Sequence, residues 1–259
     1  MRLQGLVSLG LAAPAATQLF QGFNYGATDS DGSCRGYDDF WGFFERAKDL
    51  ASTEGHFTAA RLYTSIQCGS AADPISAFQA AIDTDMHVLA GLWASAGRTV
   101  YENELNALIG AAKTLGTAFT DHVISISVGS EDLYRSSPQG VANNAGVGAT
   151  GQEIEDYIGW MRDWLRGTPL EGKPIGHIDT YVASSVDFLG HNSFPYFENM
   201  KPNTGWPFSG LQQRDAVASA ENARNYYSQV GYAVFGQRTT FWYTFVRANT
   251  SQADIVRRV

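Results

Sequence analysis

The amino-acid sequence predicts an α/β protein, specifically a (β/α)8 TIM barrel that lacks some of its pieces. Three observations carry that expectation. Apolar strand-like runs alternate with amphipathic helix-like stretches four times in succession, the pattern of a parallel sheet covered by helices. A carboxylate, Glu131, stands just past the end of the fourth run, where barrels and open α/β sheets keep their chemistry. In the later part of the chain, strand-like runs lie closer together than a parallel crossover of about a dozen residues permits.

The first strand is expected over Gln21 to Tyr25, followed by an amphipathic helix from Asp38 to Ala51. Ala59 to Tyr63 reads as the second strand and Ile75 to Ile82 as a short helix. His87 to Trp93 is the third strand, with a helix from Glu102 to Leu115. In the fourth, Val123, Ile124, Ile126 and Val128 suit a buried strand, and Gly129-Ser130 breaks it. The helix from Gly151 to Leu165 follows, its apolar residues Ile154, Tyr157, Ile158, Met161 and Leu165 recurring with the helical period.

The rhythm then fails. Ile175 to Val182 and Val186 to Phe188 both read as strands, yet only Ala183 to Ser185 separate them. From Tyr196 to Thr204 there is again no room for a helix. A helix from Ala216 to Val230 and a strand from Thr239 to Val246 restore the pattern. About one strand and one or two outer helices are expected to be missing.

At 259 residues with 44% hydrophobic content, the chain suffices for one large domain. A net charge of −8 argues against nucleic acid or an anionic membrane as partner. Residues 1–18 read as a secretory signal peptide ahead of a barrel domain over 19–259. Arg2 supplies the charge, Leu6 to Ala13 the apolar segment, and Ala13-Pro14-Ala15 the cleavage site. No stretch approaches the ~18 apolar residues of a membrane helix. Asn249-Thr250-Ser251 is a glycosylation sequon. Cys34 and Cys68 follow the first and second strands and fit one disulfide in an oxidising compartment, or else two free thiols. No metal-ligand spacing exists among the five His and two Cys.

Glu131 allows three readings: a carboxyl at a barrel mouth with a raised pKa, a solvated loop carboxylate, or a carboxylate paired with Arg135. Eight segments in order bear on the choice. They are Gly22-Phe-Asn-Tyr-Gly26, Ala60-Arg-Leu-Tyr63, Gly91-Leu-Trp-Ala-Ser95, Ser127-Val-Gly-Ser-Glu-Asp-Leu-Tyr-Arg135, Asp187-Phe-Leu-Gly190, Pro195-Tyr-Phe197, Thr204-Gly-Trp-Pro207 and Thr240-Phe-Trp-Tyr243. Together, over residues 21–247, they resemble glycoside hydrolase family 17, the β-1,3-glucanases and glucanosyltransferases of fungal and plant cell walls. The resemblance is closest to fungal secreted or wall-bound members.

That resemblance implies a retaining β-1,3-glucan hydrolase, secreted to the extracellular space or wall, needing no cofactor, and working as a monomer on polysaccharide. Glu131 would be the general acid/base. The nucleophilic Glu of the family stands immediately before Thr/Ser-Gly-Trp-Pro, and here that position is Asn203, with the strand leading into it also absent. Neutral Asn cannot form the glycosyl-enzyme ester, so turnover is expected to be impaired. A catalytically inactive glucan-binding relative, or a mis-spliced product with an internal deletion around the seventh strand, remains the alternative. Glu198 reads as a solvated loop residue. Tyr63, Trp93, Tyr196, Trp206 and Trp242 would stack on sugar faces, and Asn24 and Arg61 would supply polar contacts.

Overall fold

The computed structural model describes residues 18–51, 53, 55–179, 186–192 and 217–243. Residues 1–17 of the expected signal segment, Tyr196, Glu198, Asn203, Trp206 and the Asn249 sequon lie outside them. Seven strands run in the order β6-β5-β4-β3-β2-β1-β7, and every neighbouring pair is parallel. They are β1 (Gln21–Tyr25), β2 (Phe57–Leu62), β3 (His87–Leu92), β4 (Val123–Val128), β5 (Ile175–Asp179), β6 (Phe188–His191) and β7 (Thr240–Trp242). The sheet curls into an incomplete barrel, and among the described residues no ladder joins β6 to β7.

Helices α1 (Tyr37–Lys48), α2 (Ala77–Asp83), α3 (Arg98–Leu115), α4 (Thr117–Thr120), α5 (Asp132–Ser136), α6 (Pro138–Ala142) and α7 (Gly151–Leu165) cover the outside. Helix α1 buries Phe40, Phe43, Phe44 and Ala47, one face at helical spacing, with Asp38 and Asp39 at its positive end and Arg46 and Lys48 at its negative end. Helix α7 starts with a reciprocal cap. The Thr150 hydroxyl accepts the Glu153 N–H at 3.2 Å, and the Glu153 carboxylate accepts the Thr150 N–H at 2.8 Å. It buries the same five residues that the helical period singles out.

Strand register divides the sheet into two faces. Phe23, Leu62, Ala90, Val128 and Ile175 pack outward into a continuous core with the helices. Asn24 pairs with Arg61, and Gly91 with Ser127, on the opposite, concave face. Small residues there let neighbouring backbones approach: a Cβ on Gly91 would lie 2.0 Å from the Leu62 carbonyl oxygen.

Several boundaries differ from the expected ones. The short helices α4, α5 and α6 were not foreseen, and α6 depends on Ser137 accepting the Gly140 N–H ahead of Pro138. Strand β6 is Phe188–His191 and not Val186 to Phe188. The Asp187 carboxylate accepts the Ile175 N–H at 2.9 Å while its own N–H donates to the Ile175 carbonyl at 2.8 Å, so the ladder begins after it. The expected last helix is broken into α8 (Ala220–Tyr226), a π-helical turn (Tyr227–Gly231) and α9 (Tyr232–Val234).

Candidate active site

Strand β4 delivers Glu131 to the C-terminal mouth of the barrel in a left-handed backbone conformation, φ 61° and ψ 24°. A non-glycine residue held there costs on the order of 1–3 kcal/mol, and such strain collects at functional positions. Three bonds fix the bend. The Glu131 N–H donates to the Ile178 carbonyl at 2.9 Å. The Asp179 carboxylate accepts the N–H groups of Leu133 at 2.8 Å and Tyr134 at 3.3 Å.

The side chain is held separately. Asn192 Nδ2 donates to Glu131 Oε1 at 3.1 Å, and Asn192 Oδ1 accepts from Arg61 at 3.0 Å. Arg61 is buried, also donates to Ser130 Oγ at 2.9 Å, and lies over the Tyr63 ring with its guanidinium carbon 5.1 Å from the centroid. Arg135 donates to the Ser130 carbonyl at 2.7 Å and to Ser95 Oγ at 3.2 Å, and lies 4.6 Å from the Trp93 centroid. Two cations and two aromatic rings thus flank one carboxyl.

Burial pushes the Glu131 carboxyl above its ordinary value. The charges of Arg135 and Arg61 and the Asn192 hydrogen bond oppose the rise, and Asp179 adds to it. A carboxyl held above its ordinary value by burial, yet set beside cations that stabilise its ionised form, suits alternation between acid and base. Burial raises the Tyr243 hydroxyl, and the Glu131 charge raises it further, so Tyr243 shares the same electrostatic environment.

The residues singled out from sequence divide as follows. Tyr63 and Trp93 stand one residue past the ends of β2 and β3, on the same rim as Glu131, and Asn24 is buried on the concave face beside Arg61. Trp242 requires a correction. It is 2% exposed, pairs in register with outward-facing Phe23, and packs among Tyr226, Tyr227 and Phe235. It belongs to the core between sheet and helices, and the next residue, Tyr243, takes the inward place. Cys34 and Cys68 form a disulfide, Cα atoms 5.3 Å apart, tying the loop after β1 to the loop after β2.

Sequence reasoning passed over Asn192, Tyr243, Ser130 and Asp179. Asn192 immediately follows β6, as Glu131 follows the end of β4, so the same strand-end rule would have found it had β6 been placed correctly. Two cavities flank the mouth. One of about 490 Å³ is lined by Trp93, Ser95, Gly97, Val147 and Tyr157, and one of about 410 Å³ by Thr64, Gln67, Cys68 and Glu104.

No family model matches the chain. The chain is 42% identical to a probable glucan endo-1,3-β-glucosidase of Aspergillus fumigatus, over 94% of its own length and 63% of that protein's. A protein of the same description from Emericella nidulans is 39% identical, over 95% and 60%. The chain therefore spans less than two thirds of the length of these relatives. Glucan 1,3-β-glucosidase of Arthroderma benhamiae is 32% identical, over 88% of this chain and 80% of that one. Among solved structures, Bacteroides uniformis β-glucuronidase 2 superposes with a TM-score of 0.56 at 9% identity, covering 90% of this chain and 30% of that chain. Ruminococcus gnavus β-glucuronidase gives 0.50 at 11%, covering 93% and 46%, and both likenesses concern the fold alone. With sequence identity extending across four fifths of the Arthroderma protein, the chain belongs to the glucan 1,3-β-glucosidase family.

Proposed function

We propose that this chain is a secreted, monomeric member of glycoside hydrolase family 17 whose site is built to handle β-1,3-glucan by the retaining mechanism. In this reading Glu131 is the acid/base, and Tyr63 and Trp93 are sugar platforms at the rim. The observation that carries it is the Glu131 carboxyl itself: raised by burial, gripped by Asn192, and flanked by Arg61 and Arg135. Protonating a glycosidic oxygen and then activating water asks for such a group.

Turnover needs a second carboxylate about 5 Å from the first, and the sequence offers neutral Asn203 at that position. An internal deletion accounts for both the Asn and the short junctions around it. The A. fumigatus match supports this, since it runs over 282 positions, more than the 259 residues of the whole chain. The chain as it stands is a glucan-binding scaffold with an impaired catalytic pair.

Reducing-sugar release from laminarin, a β-1,3-glucan, tests the reading, together with retardation of the protein in laminarin-containing native gels. The expected result is retardation, weakened by Trp93→Ala, with no sugar release. Removing one member of a catalytic unit commonly costs several orders of magnitude in rate. Restoring the missing strand together with a Glu before Thr204 should recover a retaining glucanase. Hydrolysis by the unmodified chain that Glu131→Gln abolishes would overturn the impaired-pair reading and assign the second role to another carboxylate, Glu198 first.

A further inference from the structure

Behind the mouth, on the face of β5 that looks toward the helices, two charged residues are buried that the acid/base role of Glu131 does not itself employ. His177 is 0% and Asp179 1% exposed. Both ring nitrogens of His177 face oxygen. Nδ1 lies 2.6 Å from the Val128 carbonyl oxygen and Nε2 lies 3.2 Å from Asp179 Oδ2. A carbonyl oxygen only accepts, so Nδ1 carries a hydrogen. Asp179 Oδ2 already accepts the Leu133 N–H, and Oδ1 accepts that of Tyr134, so this carboxylate is an acceptor through both oxygens and Nε2 carries a hydrogen too. An imidazole with hydrogens on both nitrogens is a cation.

We propose that His177 is a buried imidazolium which, through Asp179, positions Glu131 and tunes its hold on a proton. The proposal rests on the reading of Glu131 as acid/base. Asp179 grips the main chain two and three residues beyond Glu131, and the neighbouring Ile178 carbonyl takes the N–H of Glu131 itself. His177 in turn ties Asp179 to the last residue of β4, so one clamp spans the strand that delivers Glu131 and the turn that aims it.

The charges around the turn make the same argument. Glu131 faces Arg61 from β2, Arg135 from α5, Asp179 from β5 and the Tyr243 hydroxyl after β7, with Asn192 after β6 as a neutral partner. His177 faces Asp179 and Asp132. Asp132 is wholly buried, bonded to Ser95 through Oδ1, with Arg135 at 4.0 Å. When Glu131 is ionised, its carboxylate and those of Asp132 and Asp179 are balanced by Arg61 and Arg135 only if His177 is charged as well. Loss of that charge leaves an excess of negative charge, which strengthens the Glu131 proton. Burial by itself would strip the ring of its proton. The bonds to Asp179 and Val128, with the charges of Asp132 and Asp179, outweigh it and hold His177 above the ordinary histidine value.

The test is an NMR titration of the isotopically labelled full chain, following the ring nitrogens of His177 and the side-chain carboxyl carbon of Glu131. The expected result is that both His177 nitrogens carry protons at the ordinary histidine midpoint. In His177→Gln the Glu131 titration should move to higher pH, and in His177→Gln/Asp179→Asn it should return toward its original place. A purely space-filling histidine would leave the Glu131 titration where it was in His177→Gln, and the double variant would then fall below the original through the lost Asp179 charge. A neutral His177 ring with one bare nitrogen overturns the proposal, as does a Glu131 titration unmoved in the folded His177→Gln variant. If the variants do not fold, the ring measurement on the unmodified chain decides. None of these readouts depends on glucan, so this clamp and the acid/base role of Glu131 fail or stand separately.

Discussion

Replacing Glu104 with Gln should abolish a pH dependence of stability that this protein carries in one side chain. Glu104 projects from α3 beneath the rim, 2% exposed. Its carboxylate accepts the Thr64 hydroxyl at 2.5 Å and the Ser65 N–H at 2.6 Å. It thereby holds the loop that carries Tyr63. Burial lifts the carboxyl from 4.5 to about 7 in spite of those bonds. The folded state therefore binds this proton more tightly than the unfolded chain does. Stability from this group is fully present below about 4.5 and is lost as pH rises through about 7. At 1.36 kcal/mol per unit, the loss across that window is about 3 kcal/mol. Gln does not titrate, but it turns an amide N–H₂ toward hydrogen-bond donors, a constant cost of about 1–2 kcal/mol. Urea unfolding of both proteins across the window reads the difference. Glu104→Gln should be the less stable protein at acid pH and should equal or surpass the unmodified chain above neutrality. Other titrating groups, including Glu131 and His177, are common to both and cancel. A stability difference that stays constant with pH would refute the reasoning.

Three further outcomes follow from the same structure. The double variant Cys34→Ala/Cys68→Ala removes a cross-link that closes 34 residues, and it should lose about 3–4 kcal/mol in urea unfolding; an unchanged midpoint would contradict it. Arg61→Met deletes a charge that holds the Glu131 carboxyl down, so the Glu131 titration followed by carbon NMR should move to higher pH, and a fall would exclude the assigned contact. Gly91→Ala drives a methyl to 2.0 Å from the Leu62 carbonyl oxygen and should cost about 3 kcal/mol by spreading β2 from β3, which a thermal melt will detect.

Much of the architecture was legible along the chain because its cause is local. The Val/Ile run before Gly129 and the helical spacing from Ile154 to Leu165 each act within a few residues. Glu131 could be singled out for the same reason, since a strand end and the residue after it are sequence neighbours. What surrounds Glu131 is not local. Arg61, Asn192 and Asp179 lie 70, 61 and 48 positions away, and only the pairing of β2, β4, β5 and β6 brings them together. The choice between Trp242 and Tyr243 shows the limit most plainly. Successive strand residues face opposite sides, and both are large aromatics, so composition carries no sign of which one points inward. The register of β7 against β1, with Trp242 opposite Phe23, decides it. A one-residue slip in that register would exchange the two, and register is fixed by packing against the whole sheet.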